Sequence, residues 1–339
     1  MKKYLVTGGA GFIGSNFVKF LLRQTDAVVI NFDKLTYAGN LDNLKDVQKH
    51  AKHIFIKGDI CDKIAVDNVF KKFDIDIVVN FAAESHVDKS IVNPNIFAQT
   101  NILGTLNLLQ SALQHWSLGD CVYKEGVRFL QVSTDEVYGA LGDTGLFNES
   151  TPLDPKSPYS ASKSSADLFV NAYFNTYKLP TNITRCSNNY GPNQYPEKLI
   201  PLIIKNLILG GQLPVYGDGL QIRDWLYVED HCNAIDLIIN NGTVGEVYNI
   251  GGNNECTNID LVKTIVRYFK HNIDNRVGEH LIRFVKDRKG HDRRYGIDAT
   301  KIRKTLGWAP KTTFKKGLEY TIQWYVENQD WLTNLNREV

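Results

Sequence analysis

The feature that most constrains this chain of 339 residues is a glycine turn close to its start. Residues 3–7 form a short apolar run, Gly8-Gly9-Ala10-Gly11-Phe12-Ile13-Gly14 follows, and a helical pattern of Phe17, Val18, Phe20, Leu21 and Leu22 begins behind it. Glycines so spaced let the chain turn tightly, let a pyrophosphate approach the backbone and let the helix pack close to the strand. The helix N-terminus then faces the anion. Two registers fit, Gly9, Gly11 and Gly14 or Gly8, Gly11 and Gly14. A second apolar run, Val28 to Phe32, ends in Asp33, 19 residues beyond Gly14. An acid there accepts a hydrogen bond from a ribose 2′-hydroxyl and repels a 2′-phosphate, so the expected cofactor is NAD rather than NADP.

Apolar runs and helical patterns keep alternating: Ile54 to Ile56 before Asp59-Ile60, a helix near 64–72, then Ile75 to Ala83. This alternation predicts an α/β fold, a Rossmann-type doubly wound parallel sheet. Asp59, Ile60, Ala82 and Ala83 end strands and so border the cofactor crevice, although Asp59 equally suits a turn cap and the alanines suit packing. Residues 95–115 read as one long helix. From about residue 181 the pattern breaks into loops rich in Asn, Pro, Gly and Tyr, with helices near 199–209 and 261–269. The expected division is a NAD-binding domain over 1–180, completed by about 222–250, where segments 225–228 and 247–250 return to the first sheet. A smaller, interleaved substrate-binding domain takes 181–221 and 251–339.

Composition removes several classes of function. Basic and acidic residues number 39 and 37 and are mixed along the chain, so no basic block exists to neutralise many phosphates, and nucleic acid is not an expected partner. No run approaches a membrane span, and the amino terminus carries no apolar signal core. The five cysteines are odd in number and widely separated, which argues against a disulfide framework or a zinc site. A cytoplasmic protein without metal or membrane partner is expected.

The chemistry lies further on. Ser133-Thr134-Asp135-Glu136-Val137-Tyr138-Gly139 follows the apolar run 127–132, which sets a hydroxyl and two carboxyls at the end of a strand. In open α/β sheets ligands bind beyond such ends, although acids also cap turns there. Tyr159 and Lys163 are four apart on a helical pattern and so share a face. A free tyrosine is ionised at only about one part in a thousand at neutral pH, a cost of roughly 4 kcal/mol for a phenolate base. The Lys163 ammonium and a positive nicotinamide are each expected to favour the phenolate.

Together these motifs make the chain resemble the extended short-chain dehydrogenase/reductase family, and within it the nucleotide-sugar 4,6-dehydratases that act on dTDP-glucose. The resemblance runs from Thr7–Gly14 through Ala82–Asp88, Ser133–Gly139, Tyr159–Lys163, Arg185–Pro192 and Arg223–Leu226 to His291–Tyr295, with Lys89 and Ile222 as conservative departures. It implies Thr134, Asp135, Glu136, Tyr159 and Lys163 as catalytic residues. Around the cofactor it implies Gly8, Gly11, Phe12, Ile13, Gly14, Asp33, Lys34, Leu35, Thr36, Asp59, Ile60, Ala82, Ala83, Ser85, Thr100 and Asn189, together with Tyr159 and Lys163. For a nucleoside diphosphate sugar it implies Ser85, Thr134, Asn188, Lys198, Leu199, Pro214, Tyr216, Arg223, Asn258, His291, Asp292, Arg293 and Tyr295. The segment holding Asp287, Arg288, His291, Asp292, Arg293 and Arg294 also suits a salt-bridged surface loop. Related epimerases usually carry small or neutral residues where this chain has Asp135 and Glu136, which disfavours a UDP-hexose epimerase. The alternative readings are that epimerase, another nucleotide-sugar 4,6-dehydratase, and a noncatalytic NAD-binding regulator. A homodimer through helices 95–115 and 160–177 is also implied.

Overall fold

Seven apolar segments pair into one parallel sheet in the computed structural model, which describes residues 1–287 and 289–335. Arg288 and the end of the expected second domain, 336–339, lie outside the described residues. The strands are β1 (Lys3–Thr7), β2 (Val28–Asp33), β3 (His53–Lys57), β4 (Ile77–Asn80), β5 (Arg128–Thr134), β6 (Thr181–Cys186) and β7 (Val247–Ile250). They lie in the order β3-β2-β1-β4-β5-β6-β7. Side chains alternate between two cores. Tyr4, Val6, Val29, Val79 and Leu130 meet α1 (Phe12–Gln24) on one face. Leu5, Ile30, Val78 and Phe129 meet the helices Lys63–Phe73 and Thr105–Trp116 on the other. Burial on both faces explains why these strands read as continuous apolar runs.

β1 pairs with both β2 and β4, so the order of strands reverses there and a crevice opens beyond their carboxyl ends. The glycine turn fills one wall of it. Gly8 has φ +69°, and a Cβ on it would stand 2.7 Å from the Ala82 nitrogen. A Cβ on Gly14 would stand 2.2 Å from the Gly8 oxygen. The two loops therefore touch backbone to backbone.

The expected long helix over 95–115 is continuous but not regular. Pro94–Phe97 passes into a π-helical turn, Ala98–Gly104, before Thr105–Trp116. The wide turn buries Asn101, whose amide accepts from the Glu84 nitrogen at 2.8 Å and donates to the Glu84 oxygen at 3.0 Å and to Ser162 at 2.8 Å. π-turns inside helices recur at functional sites for such reasons.

Of the two segments expected to return to the first sheet, Val247–Ile250 does and Ile222–Tyr227 does not. The latter pairs in parallel with Asn188–Tyr190 and antiparallel with Glu255–Thr257 in a separate three-stranded sheet. Its side chains alternate between two cores, Leu226 entering the first and Trp225 and Tyr227 the second. A strand wedged between two cores has the same apolar pattern as one inside a sheet. The second core draws on helices Leu199–Ile208, Asn258–Asn272 and Phe314–Glu327, with Leu213–Tyr216 and Ile282–Val285 paired in parallel beside it.

Gly14→Ala has no room for its methyl against the Gly8 carbonyl. It is expected to destabilise the fold by about 2–4 kcal/mol, read as a lower Tm in a thermal melt.

Candidate active site

The cofactor wall is held by its own backbone. Asp33, at the end of β2, accepts from the Ala10 nitrogen at 2.8 Å and the Leu35 nitrogen at 2.7 Å. Burial raises its pKa while these two bonds pull it down. Each oxygen keeps a lone pair for a ribose hydroxyl. Gly11 caps α1 without any side-chain bond, which leaves first-turn N–H groups, those of Phe12 and Ile13 among them, for an anion. Asp59 takes Lys34 Nζ at 2.7 Å and the Cys61 nitrogen at 2.9 Å, so both its turn-capping and charge-pairing roles are real. Burial opposes ionisation of Asp59, but Lys34 prevails and its pKa falls. Ile60 is buried against Gly104, and Thr100 lies on the π-turn. The cradle that a Cβ would fill, the uncapped helix and the acid at the end of β2 together fit NAD.

Opposite that wall, β5 ends in Thr134, and Asp135–Tyr138 turn as a short 3₁₀ helix. Thr134 Oγ1 donates to Asp135 Oδ1 at 3.2 Å and accepts from the Glu136 nitrogen at 3.3 Å. Asp135 is 2% exposed, and its Oδ2 has no hydrogen-bond partner among the described residues. Burial, with the charges of Glu136 and Asp224 added, pushes its pKa up to about 8. Glu136 is half-buried beside it.

α2 (Pro158–Tyr177) starts with a capping box of Ser157 and Ser160 and Pro158 in its first turn, which fixes where Tyr159 and Lys163 project. Tyr159 is buried edge-on to Phe97, with ring centroids 6.4 Å apart. Among the protein's own groups, those that oppose ionisation of Tyr159 outweigh those that favour it. Burial first, then Glu136, Cys186 and Asp135, hold the Tyr159 pKa well above its ordinary value. Lys163 Nζ donates to the Val132 oxygen at 2.7 Å. Burial lowers its pKa as well.

The substrate residues named from sequence fall in three groups. Lys198 Nζ donates to the Ser85 oxygen at 2.9 Å, and Leu199 begins the helix behind it. Arg223 is buried over the Tyr295 ring at 4.3 Å and donates to the Asp292 oxygen at 2.9 Å, while Tyr295 bonds Asp292. The charge of Glu136 acts on Tyr295 and that of Arg223 on Asp135, so this group lies within electrostatic reach of the two acids. Further out, Tyr216 stands edge-on to His291 at 6.3 Å, and His291 pairs with Asp287 at 2.6 Å. Pro214 shares the Tyr216 strand, and Asn258 opens helix Asn258–Asn272 with its Oδ1 buried. Arg293 is half-exposed and pairs with Asp218, and Arg294 pairs with Glu255 at 2.7 Å, so with His291 on Asp287 the salt-bridged reading holds for three residues of this segment and their partners. Asn188 and Asn189 lie in the strand beside Ile222–Tyr227, where Asn189 Oδ1 meets His231 at 2.9 Å.

Some residues at the site carry no signal in the sequence. Glu197 gathers Tyr37 at 3.0 Å from the loop after β2, and His86 at 3.6 Å and Lys89 at 3.7 Å from the segment after β4, a clasp that no local pattern announces. Asp167, by contrast, is four residues beyond Lys163, and helical spacing alone makes the two neighbours.

Comparison with known proteins agrees with this geometry. The family model described as GDP-mannose 4,6 dehydratase matches residues 5–321. The dTDP-glucose 4,6-dehydratase of Neisseria meningitidis serogroup B (strain MC58) is 52% identical, over 99% of this chain and 96% of the relative. A crystal structure of dTDP-glucose 4,6-dehydratase from Bacillus anthracis with NAD superposes with TM-score 0.89 at 48% identity, covering 99% of this chain and all of that one. The enzyme of the same description from Streptomyces venezuelae, with NAD and dTDP bound, gives TM-score 0.91 at 46% identity, over 98% and 99% of the two chains.

Asp135 keeps its proton to about pH 8 when folded but loses it near 3.8 when unfolded, so its contribution to stability falls as pH rises through that window. Asp135→Asn lacks this ionisation. Relative to the parent it is expected to gain roughly a few kcal/mol at pH 9 and nothing at pH 4, measured by denaturant unfolding at both.

Proposed function

The chain belongs to the GDP-mannose 4,6 dehydratase family and, within it, to the dTDP-glucose 4,6-dehydratases, and we infer that it converts dTDP-glucose to dTDP-4-keto-6-deoxyglucose and water with NAD as cofactor. The observation that carries the roles is the contrast between neighbouring acids. Asp135 is sealed and held protonated to about pH 8, while Glu136 is half-open beside it. An acid and a base side by side are what elimination of water requires.

NAD, held by Gly8, Gly11, Phe12, Ile13, Gly14, Asp33, Asp59 and their neighbours, supplies the hydride acceptor for sugar carbon 4 and the donor for carbon 6. Thr134 orients the 4-hydroxyl and Tyr159 takes its proton. The ketone so formed acidifies the proton on carbon 5, which Glu136 removes. Asp135 gives its proton to the 6-hydroxyl, which leaves as water. As carbon 6 regains hydride, Glu136 returns a proton, by then exchanged with solvent, to carbon 5, and the proton taken by Tyr159 passes through solvent to restore Asp135. Lys163 supplies the positive charge that a buried tyrosinate needs. Arg223 and Lys198 are the cations available to a diphosphate, with Ser85, Asn188, Tyr216, Asn258, His291, Asp292 and Tyr295 around the nucleotide sugar. An epimerase has no use for a protonated acid beside the tyrosine.

Among the described residues no helix is long and apolar enough to cross a membrane. A cytoplasmic setting is the finer reading, supported by five free cysteines. A homodimer is supported by large apolar side chains left exposed on the two expected helices, Leu103 at 53%, Leu168 at 59% and Phe169 at 38%. Leu168→Glu is expected to sediment as a monomer at micromolar concentration where the parent does not.

The activity is tested by incubating the purified protein with dTDP-glucose in deuterated water without added cofactor. Loss of one water with deuterium at carbon 5 is expected, and an unchanged mass rejects the reading. In the same assay Asp135→Asn is expected to slow water loss roughly a hundredfold or more while exchange at carbon 5 persists. Glu136→Gln should stop both.

A further inference from the structure

Behind the reacting residues lies a row of buried charges to which the dehydration assigns no step. Asp167 is four residues beyond Lys163 on α2, so the two project along one stripe of the helix, 0% and 4% exposed. Arg185 on β6, 3% exposed, reaches Asp167 from the other side, with Nε 2.9 Å from Oδ2. Its second arm donates to the Tyr138 hydroxyl at 3.0 Å, and Tyr138 donates to Asn249 Oδ1 at 2.8 Å. The guanidinium also lies over the Tyr138 ring, 4.8 Å from its centroid. Arg185 is thereby fixed, and it fixes Asp167. From β5 only a carbonyl, that of Val132, is bonded to Lys163 Nζ.

One buried carboxylate is thus ion-paired with a buried guanidinium and stands one helical turn from a buried ammonium that feels its charge. Take the carboxylate away and two positive charges remain in a volume closed to water. A guanidinium cannot release its proton in a protein, whereas an ammonium readily does when buried. Lys163 is therefore the group that gives way. We propose that Asp167 is a positioning residue for the reaction: its carboxylate, anchored by Arg185, keeps Lys163 charged for Tyr159.

The other groups facing Lys163 do not replace it. Burial lowers the Lys163 pKa, and what opposes this is Asp167 from its own helix and the Cys186 thiol from β6. Burial pushes that thiol up to about 12, so at neutral pH it carries no charge. Burial raises Asp167 too, while Arg185 and Lys163 work to keep it ionised. Tyr159, already held well above its ordinary value, has most to lose if the ammonium goes neutral.

The inference rests on Tyr159 and Lys163 acting as the base pair, and its test reads Lys163 directly so that the two can fail separately. The NAD-loaded protein is labelled with ¹³Cε-lysine, and the Lys163 resonance is identified by its loss in Lys163→Arg. In Asp167→Asn the midpoint of that resonance is expected to fall by about two pH units or more, and in Asp167→Glu to return most of the way. The activity ratio of Asp167→Asn to parent should fall as pH rises from about 6 to 9, because an unanchored ammonium deprotonates first. A structural role alone would give one ratio at every pH. An unshifted midpoint, or a flat ratio, overturns the proposal. If Asp167→Asn does not fold, the parent decides: a Lys163 midpoint above about pH 8 upholds the proposal and one below it overturns it.

Discussion

Everything in this protein depends on the reversal of strand order between β1 and β4. Parallel strands send all their carboxyl ends to one edge, and where the order reverses, the loops that follow diverge and leave a crevice. The glycine turn after β1 and the Ala82-Ala83 turn after β4 form its floor, pressed so close that Gly8 admits no Cβ. Asp33 at the end of β2 braces the turn, and β5 delivers Thr134 and Asp135 to the same edge. The clasp at Glu197 then ties the loops after β2 and β4 to the second lobe.

Water is excluded from much of this edge, and that exclusion makes ordinary side chains reactive. Burial raises Asp135 into the neutral range while Glu136 beside it keeps access to solvent. The same burial would silence Lys163. Compensation comes from Asp167, itself stabilised by Arg185 and through it by Tyr138 and Asn249. Such a network is costly to interrupt at any member, because each deletion strands a charge where nothing can solvate it. It lies on α2, β6, β7 and the turn after β5, so it is carried by regular elements of the fold.

Much of this is legible in the amino-acid sequence. The glycine turn, the acid at Asp33 and the alternating strands lead to the right sheet, because parallel strands buried on both faces leave an unmistakable apolar record. Tyr159 and Lys163 are legible because a helix turns spacing into a shared face. The place of Ile222–Tyr227 is not, because Leu226 and Trp225 each face a core, and pattern does not say which core. The π-turn at Ala98–Gly104 is hidden as well, because the bonds it makes, from Asn101 to Glu84, join residues 17 apart.

The sequence by itself determined the periodicities, the turn chemistry and the candidate reactive groups, since these follow from local backbone geometry, from what each side chain can donate, accept or ionise, and from the family the motifs resemble. Only the tertiary structure decided how those groups behave. The sign of each pKa shift depends on how much water and which charges surround the group. Thus the Tyr159 pKa is raised, Asp135 keeps its proton, and Asp167 is paired with a buried guanidinium because β6 lays Arg185 against α2.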